Sequence, residues 1–145
     1  MTRAPVSELD LLADLLAAEH AAVYGYGVLG ARLDDAARRV ALAASDLHRA
    51  RRDGLAAQLR SRGAEPVPGL PAYDVAVADA AEAVDLAVRL EEGMALRWRD
   101  LVGGTDAVDL RRLALSGLQE AAVRAATWRA LAGTGPVTVA LPGTA

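Results

Sequence analysis

Apolar residues recur at spacings of three and four through four stretches of the chain, and residues that start or stop helices bound each one. The first stretch runs from Ser7 to Leu33 and opens on Ser7-Glu8-Leu9-Asp10, a capping box. Its inward stripe is Leu12, Leu16, Glu19, Val23, Tyr26 and Gly30. The second runs from Asp35 to Arg62, between a cap at Asp34 or Asp35 and a stop at Gly63. It turns Val40, Ala44, Leu47, His48, Arg51, Leu55, Gln58 and Leu59 inward. The third runs from Asp79 to Val102, stops at Gly103-Gly104, and buries Val84, Ala87, Glu91, Met94, Ala95, Trp98 and Leu101. The fourth runs from Asp106 to Leu131, with Leu110, Leu113, Gly117, Glu120, Arg124, Trp128 and Leu131 inward.

Residues 63–77 contain Pro66, Pro68 and Pro71, which exclude helix there. A helix of ~27 residues is ~40 Å long, and ~14 extended residues reach ~46 Å. The linker is just long enough to return along the whole bundle, which makes helices 2 and 3 parallel. Residues 136–145 form an extended tail with Val137, Val139 and Leu141 alternating, laid on the bundle surface. The pattern therefore predicts one all-α domain over residues 1–145: an up-down four-helix bundle with a long crossover between helices 2 and 3.

Composition sharpens this. Hydrophobic residues are 53% of the 145 but aromatics only 3%, so 34 Ala and 22 Leu must build the core, and both favour helix. With no Cys there is no disulfide and no thiolate chemistry. A net charge of −3, with all 16 basic residues Arg and scattered, gives no nucleic-acid footprint. Charges interrupt every apolar stretch, so no membrane span is expected. The stretch from Met1 to Leu12, with Arg3, Glu8 and Asp10, lacks a signal-peptide pattern, and a cytoplasmic location is the expectation.

The candidate chemistry lies mid-helix. Glu19, His48, Glu91 and Glu120 each sit among apolar residues, one per helix, and are expected to converge on one buried spot. A weak repeat at an offset of 72 residues supports this by pairing Glu19 with Glu91, Tyr26 with Trp98, His48 with Glu120 and Arg52 with Arg124. Buried carboxylates repel one another and need a positive partner. The candidates are metal ions, protonated His48, Arg51 and Arg124.

The layout resembles the ferritin-like carboxylate bundles, in which two helices give a single Glu and two give Glu-x-x-His. Glu19 and Glu91 match the single positions, and Glu19 to Tyr26 matches a Glu-x6-Tyr pattern of that family. His48 stands where Glu is expected and Arg51 where His is expected; Glu120 matches, but Val123 replaces its His. More narrowly, the chain resembles an alanine-rich, ferritin-like bacterial family catalogued as a domain of unknown function (the 4439 type). The likeness rests on Ala-Glu-His-Ala-Ala-Val-Tyr-Gly-Tyr at 18–26, His-Arg-Ala-Arg-Arg-Asp at 48–53, Leu-Glu-Glu-Gly at 90–93 and Ala-Leu-Pro-Gly at 140–143. It implies a ferritin-like fold and a cytoplasmic bacterial context, and no activity.

The preferred reading is a degenerate, metal-free cluster of Glu19, Tyr26, His48, Arg51, Glu91, Glu120 and Arg124, with guanidinium in the place of a metal. The protein then acts as a non-catalytic scaffold or partner-binding module. The alternative is a mononuclear Fe, Mn or Zn site made by Glu19, His48, Glu91 and Glu120, serving an oxidoreductase. Ala44, Ala87, Ala95 and Gly117 are read as allowing close helix approach rather than an interior pocket. His20 is expected on the surface, and Glu92 solvated beside Arg89. A second apolar arc on helix 4, Ala114, Leu115, Leu118, Ala122 and Ala125, predicts a homodimer.

Overall fold

A computed structural model describes residues 6–144; Arg3 and the final Ala145 lie outside them. Four helices form among the described residues: α1 (Glu8–Gly30), α2 (Asp35–Ser61), α3 (Ala80–Gly104) and α4 (Val108–Ala132). The capping box closes α1, with the Ser7 hydroxyl accepting from the Asp10 N–H and the Asp10 carboxylate accepting from the Ser7 N–H. Asp34 and Asp79 cap α2 and α3. Asp106 does not cap α4, whose N-cap is Ala107 without a side-chain bond. Thr105 braces that start instead, accepting from the Ala107 N–H at 3.1 Å and donating to Glu8. α1 ends at Gly30 rather than Leu33, because Arg38 reaches back to the carbonyls of Gly30 and Leu33 and satisfies the open end.

Short loops make two antiparallel hairpins, α1–α2 and α3–α4. Asp14 pairs with Arg97 and Leu11 meets Gly104, so the start of α1 lies beside the end of α3. Both α2 and α3 therefore run opposite to α1, and are parallel to each other as the linker length requires. The crossover follows α1 in the same direction: His20 Nε2 lies 3.1 Å from the Val67 carbonyl, Tyr24 packs on Tyr73, and Arg32 donates to the Val77 carbonyl. His20 is thus half-buried rather than on the surface, because the crossover covers its face of the helix. Among the described residues, no helix is long and apolar enough to cross a membrane.

The core falls into two apolar halves. One gathers Leu12, Leu16, Leu55, Leu59, Met94 and Trp98. The other gathers Tyr26, Leu29, Ala41, Ala87 and Trp128. Along α1, α2 and α3 the residues between the halves are Glu19, His48 and Glu91, all buried.

Two stripes differ from expectation. Leu47 points outward on α2, where Ala41 and Ser45 are buried instead. On α4 the buried face is Ala114, Gly117, Ala121, Ala125 and Trp128, while Leu131 is exposed. Gly117 explains the second difference. A Cβ there would meet Trp98 ring carbons at 2.4 Å, so α4 presents its small residues to the indole. The second apolar arc is consequently divided: Ala114 and Ala125 belong to the core and Leu115 is exposed.

Candidate functional site

His48 is the hub. Its Nδ1 lies 2.7 Å from Glu19 Oε2 and its Nε2 lies 3.0 Å from Glu91 Oε1, and the ring is wholly shielded from solvent. An ionised carboxylate only accepts hydrogen bonds, so two carboxylate partners call for a proton on each ring nitrogen. Burial pulls the imidazolium down, but the hydrogen bonds and charges of Glu19 and Glu91 more than offset it and hold His48 at about 9.

Glu91 Oε1 takes three donors. Besides His48, the Tyr26 hydroxyl donates at 2.6 Å and Arg124 Nε at 2.9 Å. Burial pushes the Glu91 carboxyl up, yet His48, Arg124 and Tyr26 together bring it below its ordinary value. Glu19 lacks the guanidinium and the phenol, and its burial keeps its carboxyl raised despite His48. Trp128 Nε1 donates to the Tyr26 hydroxyl at 2.9 Å, which leaves the phenol proton directed at Glu91. Burial and the adjacent Glu91 charge raise the Tyr26 phenol, which stays neutral. The buried charges compensate one another: the Glu19 and Glu91 carboxylates against His48 and Arg124. Glu19 Oε1 and Glu91 Oε2 have no protein partner and are buried.

The seven residues singled out in the sequence therefore divide. Glu19, Tyr26, His48, Glu91 and Arg124 meet at the centre. Glu120 stands apart from Glu19, Tyr26, His48 and Glu91 and is linked to the centre through Arg124 at 3.9 Å; its side chain is 39% exposed, at the solvent edge of the α2–α4 seam. Arg51 donates to Glu120 Oε1 at 2.6 Å, and the Ser116 hydroxyl donates to the same oxygen at 3.0 Å. Partial burial raises the Glu120 carboxyl, and Arg51 and Ser116 outweigh that and lower it. The rotation of α4 about Gly117 is the physical reason, since it turns Ala121 inward and Glu120 to the edge. The cation at the buried acids is thus Arg124, while Arg51 lies over the Trp98 ring, 5.5 Å from its centroid.

Sequence reasoning placed Trp128 on the inward stripe but missed its bond to Tyr26; its spacing of four from Arg124 was the available signal. Glu92 pairs with Arg129 across the α3–α4 seam rather than with Arg89. Arg49 and Arg52 pair with Asp46 and Asp53 on the solvated face.

The donor set does not suit the four-ligand metal site. Glu120 lies apart on the Arg51 guanidinium, and the Arg124 guanidinium stands at Glu91. Among the described residues no group of three or more His, Cys, Asp or Glu is placed to hold a metal ion.

The family model for a domain of unknown function, DUF4439, matches residues 12–145. The chain belongs to that family. The match takes in all five residues of the centre, Glu19, Tyr26, His48, Glu91 and Arg124, and continues through the tail. The chain is also similar to a solved structure, a conserved hypothetical protein, rv2844, from Mycobacterium tuberculosis. The two are 35% identical with a TM-score of 0.83, over 86% of this chain and 96% of that one. No curated protein matches the sequence.

Proposed function

We propose that this member of the DUF4439 family is a non-catalytic module, built to present its surface to another molecule, whose buried cluster takes the place of a metal centre. The overall layout, with a long crossover and mid-helix acids on α1 and α3, is similar to the ferritin-like carboxylate bundles. The observation that carries the reading is His48 bonded through both nitrogens to Glu19 and Glu91. A ring used in this way is a cation that balances acids, not a ligand. Arg124, on the same Glu91 oxygen, supplies the second positive charge and repels a third. The test is elemental analysis of purified protein after expression with added Fe, Mn and Zn. The expected content is far below one metal per chain, and one equivalent held through dialysis would overturn the proposal.

The partnerless oxygens Glu19 Oε1 and Glu91 Oε2 favour a second reading, a mononuclear Fe, Mn or Zn oxidoreductase. Two oxygens are fewer than the three protein ligands such sites ordinarily use. Adding Fe(II) in air and following near-ultraviolet absorbance separates the readings; the first expects the buffer trace.

A further inference from the structure

The outer face of the α3–α4 hairpin holds a second feature, whose lining includes none of the residues of the buried cluster. Small residues, Ala95, Ala122 and Ala126 among them, keep the floor between the helices low. The tail returns across that floor as a strap. Gly143 seats it with a left-handed φ of +81°, where a Cβ would stand 2.7 Å from the Ala95 carbonyl oxygen. Arg99 donates to the Gly143 carbonyl at 2.6 Å, and Arg129 donates to the Val137 carbonyl at 3.2 Å. Between floor and strap lies a cavity of about 620 Å³. That is within the range of ~300–1,000 Å³ typical of small-molecule sites.

The lining selects the occupant. It is aliphatic with no aromatic ring, so it offers nothing for a planar ligand to stack on. Its only charged residues, Glu92 and Arg129, pair with each other, so no charge is left for an ionic headgroup. Leu96, Val139 and Leu141 line the space yet stay 37%, 46% and 68% exposed, so the strap does not fill what it covers. A flat partner helix or a second copy would first have to lift the strap from its anchors. Ala140-Leu141-Pro142-Gly143, one of the motifs singled out in the sequence, forms the roof, and the family match runs through it.

We infer that this cavity is a binding site for a neutral aliphatic small molecule, a hydrocarbon chain ending in at most a hydroxyl. The Thr138 hydroxyl in the wall is the polar contact for such an end. The inference stands apart from the reading of the buried cluster and from its metal assay.

The experiment titrates 1-decanol into the full ¹⁵N-labelled chain and follows amide shifts. Saturable shifts confined to Ala95, Leu96, Ala122 and residues 138–144 are expected. Ala126→Leu, which fills the floor, and Val139→Gln, in the exposed roof, should each weaken binding by about tenfold or more. Melting temperatures of both variants establish that they fold, and Val139→Gln leaves the helical core untouched. Shifts that never saturate, that lie elsewhere, or that persist unchanged in a folded variant would overturn the assignment. So would a chain that is dimeric without decanol and whose dilution shifts these same amides, since the occupant would then be a second copy.

Discussion

Alkaline pH should weaken this fold through one side chain. His48 is buried between two carboxylates and is held at about 9, against 6.5 for an ordinary imidazole. A group whose folded value is the higher one binds its proton more tightly when folded. Its contribution is present in full below about pH 6.5 and is lost as the pH climbs toward about 9. A difference of about 2.5 units at ~1.4 kcal/mol each is on the order of 3 kcal/mol, a large share of the stability of a small domain. The raised Glu19 carboxyl acts in the same direction. The lowered Glu91 carboxyl acts oppositely, contributing above about pH 4.5 and failing as the pH falls below it. Urea denaturation followed by fluorescence of Trp98 and Trp128, repeated across this range, measures the effect. His48→Gln should be less stable at neutral pH and should lose the alkaline slope. A wild-type stability that is flat from pH 6.5 to about 9, or a His48→Gln protein with the same slope, would refute the charged-hub argument.

Other expectations follow from local geometry. Gly117→Ala drives a methyl into the Trp98 ring and should cost about 1–3 kcal/mol, read as a lower melting temperature. Gly27→Ala, mid-helix with nothing within 4 Å, should instead stabilise by about 0.5–1 kcal/mol in the same thermal scan. Arg124→Met leaves buried Glu91 short of a cation and should cost on the order of 3 kcal/mol by urea titration. Arg51→Met gives up the half-exposed Glu120 pair, the Ser116 bond and the guanidinium over Trp98, and its loss should be about 1 kcal/mol, well below that of Arg124→Met.

Periodicity and caps made the helices legible, and chain reach made the crossover legible, because each depends on local geometry. Glu19, His48 and Glu91 were visible for the same reason, as polar residues in apolar stripes. Glu120 was misplaced because the period of α4 is ambiguous when alanines occupy adjacent faces. Only Trp98, an indole from another helix of a kind that buries ~150–250 Å², decides which face turns in. Choosing between Arg51 and Arg124 depended on that same rotation. His20 was misjudged since the crossover that covers it is distant in sequence. The cavity under the tail was out of reach of any pattern, being made by a turn at Gly143 and two arginine anchors.

The division of the core into two apolar halves has a consequence for how the helices find their alignment. Smooth alanine-leucine surfaces slide past one another with little resistance, and a shift of one turn, about 5.4 Å, would leave many such contacts equivalent. The polar layer across the middle works as a detent. Sliding α2 by a turn would put Ala44 or Arg51 where His48 stands against Glu19 and carry the imidazole away from both carboxylates, so a chain poor in large side chains still settles in a single vertical setting.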